Sequence, residues 1–159
     1  MRTRAMLRGT VVVLGLTALT LTGCKTAEPP KLSAAESIEA RKKLMKEQGA
    51  AWKNVQDKAK AGQITALVPD AEKLVSTAQQ IPPLFPEGSF DAAKSAAKPE
   101  IWQKKPEFEA AAKNLETLAV KLRDAAKAND TAQTQAIIKD FGRQGCGTCH
   151  TPFRVPPKQ

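Results

Sequence analysis

The chain has 159 residues, of which 42% are hydrophobic, 26% charged and 4% aromatic, with no tyrosine. That length supports one domain with its own core rather than two, and so few aromatics exclude a β-sandwich, whose sheets need many aromatic and β-branched residues. A net charge of +9 raises nucleic acid, anionic lipid and acidic partners alike, whereas three cysteines and one histidine exclude a closed disulfide framework and a multi-histidine metal enzyme.

Residues 1–23 place Arg2, Arg4 and Arg8 ahead of an apolar run from Val11 to Leu21 that contains no acid. A basic stretch followed by a short apolar one is the build of an export signal. A membrane-spanning helix needs about 18–20 apolar residues, and this run stops short of that at Gly23-Cys24. Leu21-Thr22-Gly23-Cys24 resembles the bacterial lipoprotein box, which implies a lipidated Cys24 at the start of the mature chain. Setting residues 1–23 aside removes three arginines, leaving 22 basic against 16 acidic residues and a charge of +6. Residues 24–32, polar and proline-bearing, read as a tether. The folded domain is then expected over 33–159.

Four helices are predicted. Ser33-Ala-Ala-Glu36 is a capping-box signature, after which Ile38, Met45, Trp52 and Ala59 recur every seven residues, flanked by Leu44 and Val55, as far as Ala61-Gly62. Ile64, Leu67, Ala71, Leu74, Ala78 and Ile81 form the second apolar stripe, a helix either kinked at Pro69 or starting there; Pro82-Pro83 ends it. Residues 82–99 read as a long loop, with Phe85 and Phe90 as its anchors. Pro106 sits where an N1 proline belongs, ahead of the stripe Phe108, Ala111, Leu115, Leu118, Leu122 and Ala125. Asp130 caps the fourth helix, whose inward residues are expected to be Ile137, Ile138 and Phe141. No stretch alternates with period two. The expected fold is all-α, an antiparallel four-helix bundle.

The chemistry lies near the C-terminus. Cys146-Gly147-Thr148-Cys149-His150 is a C-x-x-C-H motif, the mark of covalent haem c attachment. On a regular helix turning 100° per residue, these three side chains share one face. Two thiols there can add to the two vinyl groups of one porphyrin, while the neighbouring imidazole meets the iron. Zinc would want a fourth ligand, and the only other cysteine is Cys24; a thioredoxin-like pair would want a βαβ context. His150 is the only histidine, so the second axial donor falls to Met45, the only methionine left in the mature chain. Gly49, one turn on, leaves room for a ring edge.

These residues resemble those of class II c-type cytochromes, the cytochrome c-prime family, over about residues 33–155. The resemblance rests on Cys146-x-x-Cys149-His150 followed by Phe153-Arg154, on Pro99-Glu100-Ile101-Trp102, and on Arg41, Met45-Lys46 and Gly49. It implies one covalent haem held between helices, and Arg154 as a proximal contact. It also implies two branches: an apolar residue at the Met45 position leaves a high-spin, gas-binding iron, whereas methionine there gives a low-spin electron carrier. The sequence departs from the family in its lipobox, its 82–99 loop, Phe153, and the approach to Cys146.

The expected function is therefore single-electron transfer by a His150/Met45-ligated haem, without enzyme activity, on the periplasmic side of a bacterial membrane through the Cys24 lipid. The alternative is a five-coordinate cytochrome c-prime that binds nitric oxide or carbon monoxide. The expected partners are a redox protein and the membrane, with a second copy of the chain as a further candidate. Basic and acidic residues mix at helical spacing, as in Glu36-Glu39-Lys43, which reads as solvated surface and not as a nucleic-acid face. The haem site is predicted as a void between the first and fourth helices, bordered by Met45 and His150.

Overall fold

A computed structural model describes residues 32–157. The export signal, Cys24 and tether positions up to residue 31 lie outside the described residues. The first helix, α1 (Ala34–Lys60), starts as the capping box requires. Ser33 Oγ accepts the Glu36 amide and the Glu36 carboxylate accepts the Ser33 amide. A 3₁₀ turn (Thr65–Leu67) leads into α2 (Val68–Gln79), with Pro69 in its first turn, so the second apolar stripe starts late instead of kinking. Residues 80–99 hold a 3₁₀ turn at Pro82–Leu84 and are otherwise irregular. They end at a short helix, α3 (Glu100–Gln103), and then α4 (Lys105–Lys127) carries Pro106 in its first turn. Asp130 caps α5 (Thr131–Phe141), its carboxylate accepting the Gln133 amide at 2.9 Å. The backbone stays helical through a π-helical segment, Gly142–Gly147, into α6 (Thr148–Phe153). The four long members are thus α1, α2, α4 and the composite α5–α6. The described residues contain no strand beyond an isolated antiparallel bridge between Ala97 and Arg154.

Side-chain burial follows helical spacing. Val55, Leu67, Leu74, Phe108, Leu122 and Phe141 are almost wholly covered, each worth about 1.5–3 kcal/mol of apolar transfer. Two features differ from the sequence-based expectation. The most buried line of α1 runs through Ile38, Leu44, Ala51 and Val55, while Met45, Trp52 and Ala59 are half-buried. Likewise Leu118, Ile137 and Ile138 are half-buried on the flank, leaving Phe141 as the deep residue of α5.

The irregular stretch is ordered by a few contacts. Phe85 is buried and meets Phe108 edge-on with centroids 4.8 Å apart. Phe90 is 45% exposed and meets the Trp102 ring edge-on with centroids 5.7 Å apart, so it anchors the stretch at the surface and not in the core. Trp102 Nε1 donates to the Pro86 carbonyl at 2.8 Å, and Lys105 Nζ to that of Phe85 at 2.9 Å. The far end is stitched to the C-terminus by Lys98 N–H to Phe153 O and Val155 N–H to Ala96 O. No helix among the described residues is long and apolar enough to cross a membrane.

Candidate functional site

α2 packs closely with both α1 and α4, and α5 packs on α4, but α1 and the α5–α6 helix approach each other little. Their main bridge is Trp52, stacked on Phe141 with centroids 4.6 Å apart and planes at 20°. The gap left open is a cavity of about 480 Å³, inside the range of about 300–1,000 Å³ usual for small-molecule and cofactor pockets. α1 contributes Arg41, Met45, Gln48, Gly49 and Trp52 to its wall, and the fourth helix contributes Phe141, Cys146, Cys149 and His150. Leu74, Phe108 and Leu115 close its floor, while Ser95, Ala96, Ala97 and Arg154 complete the rim.

Five of the residues singled out in the sequence therefore border one cavity: Met45, Cys146, Cys149, His150 and Arg154. The sixth, Cys24, lies outside the described residues. The half-burial of Met45 and Trp52 now has a cause, since each packs against the core on one side and lines the cavity on the other. The motif itself does not sit on one regular helix. Cys146 belongs to the π-helical segment, whereas Cys149 and His150 belong to α6. Of the three glycines in the widened turn, Gly145 is the one packed tightly against a neighbour: a Cβ there would meet Leu115 Cδ1 at 3.0 Å.

Burial shifts the titratable groups of the cavity. Burial pushes the Cys149 thiol up to about 11, with Cys146 adding to it, and burial raises Cys146 as well. Both thiols are free of any disulfide. His150 is exposed at the cavity lip on one side and hemmed by apolar wall on the other. That partial burial, and next the charge of Arg154, lowers its pKa, so the imidazole is neutral at pH 7. Arg154 is one helical turn from His150 and exposed, and its backbone N–H closes α6 on the His150 carbonyl at 3.2 Å.

Arg41 is a cavity-lining residue that motif reading undervalues. It is 3% exposed, with its guanidinium 4.8 Å from the Phe85 ring centre and 5.8 Å from that of Trp102. Nη1 and Nη2 donate to Ser89 Oγ and Ser89 O at 3.2 and 2.9 Å, but Nε has no acceptor. An unpaired buried N–H is costly, and this one belongs to a cavity-lining residue. The available sequence signal was its spacing, four residues before Met45 on the same face of α1. The lining includes four basic side chains, Arg41, Lys42, Lys46 and Arg154, and no aspartate or glutamate.

These residues fit a covalent haem: two free thiols, a neutral imidazole and a thioether on apolar walls, and a buried guanidinium short of one acceptor that a propionate can supply. The comparisons with known proteins agree. Residues 36–154 match the family described as Cytochrome C'. A cytochrome c' from Pararhodospirillum photometricum is 34% identical over 120 residues, covering 74% of this chain and 94% of that protein. Cytochrome c-556 from Agrobacterium fabrum is 35% identical over 146 residues, covering 88% and 94%. Among solved structures, the nitric oxide complex of a cytochrome c prime variant from Alcaligenes xylosoxidans superposes with a TM-score of 0.70 at 20% identity, covering 80% of this chain and all of that one. Fold, cavity and family match agree: the chain belongs to the cytochrome c' family, and its cofactor is one covalent haem c.

Proposed function

We propose that the chain carries single electrons through a haem held by thioethers from Cys146 and Cys149, with His150 and Met45 as axial ligands. When bound, haem c supplies a one-electron couple at its iron. The observation that carries this reading is that Met45, the only thioether after Cys24, borders the same cavity as His150 and both thiols. A thioether opposite an imidazole raises the reduction potential relative to harder ligands. Arg41 would offer its free N–H to a haem carboxylate, and Trp52, Phe141 and Leu115 would supply apolar wall that excludes water from the cavity. Arg154, on the rim beside His150, is placed to oppose a proton on that imidazole.

A second reading has its own support. The relatives named cytochrome c' and the nitric oxide complex of a structural neighbour back a five-coordinate, gas-binding haem better than they back the electron carrier. In that reading Met45 is cavity wall only. The ferric absorption spectrum of the purified holoprotein separates the two. A methionine-to-iron charge-transfer band, with no change on adding carbon monoxide after reduction, is expected. Met45→Ala should abolish the band and convert the protein from no carbon monoxide uptake to one molecule per haem. A high-spin wild-type spectrum with ready gas binding would establish the second reading.

Export and anchoring complete the proposal. Residues 1–23 serve as the signal, Cys24 carries the lipid, 24–32 form the tether, and 33–159 form the periplasmic haem domain. One acyl chain binds a membrane marginally and several bind it stably, so Cys24→Ala is expected to shift the protein from the membrane fraction to the soluble periplasmic fraction. Unchanged fractionation would count against the anchor without touching the haem reading.

A further inference from the structure

The stretch leading to the haem motif is built unusually. Between α5 and α6 the chain keeps helical dihedrals, φ −59° and ψ −44° at Gly142 and φ −64° and ψ −35° at Gly147, yet its bonding widens to the π type. A widened turn takes up residues that a regular helix would spend on rotation, so its presence sets the phase of everything after it. Each residue of a regular helix turns the chain by about 100°. Were this segment to revert to α-helical bonding with even one residue's displacement, Cys149 and His150 would swing by about that angle, away from the cavity. Such turns are intrinsically poor and persist where other contacts hold them.

Two contacts hold this one, at adjacent residues on both partners. The Gln144 carbonyl accepts the Thr148 hydroxyl at 2.5 Å and Asn114 Nδ2 of α4 at 2.6 Å. The next residue, Gly145, is buried and lies so near Leu115, the neighbour of Asn114, that a side chain would strike it. One contact is polar and directional, the other steric. Together they fix both the rotation and the height of the segment on α4, immediately before Cys146. Arg143 and Gln144 are exposed and take no side-chain part in the cavity wall; it is the Gln144 backbone that matters.

We propose that Asn114 and Thr148 are positioning residues that clamp the Gln144 carbonyl, hold the π-helical turn, and so set the phase at which Cys146, Cys149 and His150 meet the cavity. This rests on the reading of those three residues as the haem-holding set. The test uses the exported, haem-loaded full chain carrying Asn114→Leu, Thr148→Val, or both. The measurements are amide hydrogen exchange by mass spectrometry, the axial-ligand absorption and electron paramagnetic resonance spectra, and the haem count by intact mass. Losing two neutral hydrogen bonds is expected to speed exchange across 142–150 about tenfold, with α2 unchanged and the axial signature shifted. Thr148→Ser, which keeps the hydroxyl, should restore wild-type exchange and spectrum. Wild-type exchange and spectra in the double variant would overturn the proposal, as would faster exchange spread evenly over all helices. If the double variant does not accumulate, Asn114→Leu alone decides by the same two criteria, because its site is on the exposed face of α4. A wild-type protein with no haem on Cys146 and Cys149 would overturn the underlying site reading instead.

Discussion

Gly145, buried against α4, and Gly49, on the cavity wall, show how differently two glycines behave. An added methyl at Gly145 would lie 3.0 Å from Leu115 Cδ1, 3.6 Å from Leu118 Cδ1 and 3.7 Å from Phe141, whereas at Gly49 nothing lies within 4 Å. Overpacking of a closed site costs about 1–3 kcal/mol, so Gly145→Ala is expected to lower the thermal midpoint of the holoprotein. Leu115→Val in the same chain should recover part of the loss, and full stability of Gly145→Ala alone would remove steric contact as the reason for the glycine. Cysteine, histidine and methionine identities were legible at this scale because their chemistry is local and their numbers are small. The role of Arg41 was not, because a buried guanidinium and a solvated one look alike in sequence until Phe85, Ser89 and Trp102 are brought around it.

At the scale of elements, the caps and breakers did most of the work. Ser33 and Asp130 start α1 and α5, and Pro69 and Pro106 sit in the first turns of α2 and α4. Ser33→Ala removes the α1 capping contact and should cost about 1 kcal/mol, read as a lower urea midpoint with an unchanged slope. An unchanged midpoint would show that the first turn of α1 frays without consequence. The heptad of α1 was visible and its Met45 was expected at the haem void, although the line packed most deeply against protein, through Leu44, Ala51 and Val55, runs beside it. Periodicity locates an apolar arc wider than 100°, but it does not say which edge of the arc faces protein and which faces a cofactor cavity. Met45 and Trp52 occupy the cavity edge; Leu44, Ala51 and Val55 occupy the protein edge. The π-helical segment was invisible for a related reason: nothing in Gly142–Gly147 favours widened bonding by itself, and its hold comes from α4.

For the molecule as a whole, three glutamates link helices at the surface. Glu47 meets Lys73 at 2.9 Å between α1 and α2, Glu72 meets Lys127 at 2.7 Å between α2 and α4, and Glu116 accepts Gln79 at 2.8 Å between the same two helices. Each partner's hydrogen bond lowers the carboxyl pKa. A carboxylate whose folded pKa is depressed adds stability that is present above its unfolded value, about 4.3 for glutamate, and is lost as pH falls through the lower folded value. The thermal midpoint is therefore expected to fall as pH drops below about 4.3, by a small amount because the pairs are solvent-exposed and screened. Removing all three acids as Gln should flatten that part of the profile; an unaltered profile would assign acid sensitivity to other groups. The basic rim belongs to this scale too, since Lys42, Lys46 and Arg154 come from opposite ends of the chain and are neighbours only around the cavity.

By itself the sequence determined the chemistry and the class of fold: a C-x-x-C-H motif at 146–150, one histidine, one methionine after Cys24, and helical stripes bounded by caps and prolines. These are local properties, fixed by residue type and by spacing along one chain. Only the tertiary structure decided that Leu44, Ala51 and Val55 form the protein-packed edge of α1, that Arg41 closes the cavity with an N–H to spare, and that Asn114 and Leu115 of α4 hold the turn before Cys146. Those outcomes depend on the angle and distance between helices, which are set by many packed side chains at once and leave no mark in any single stretch of sequence.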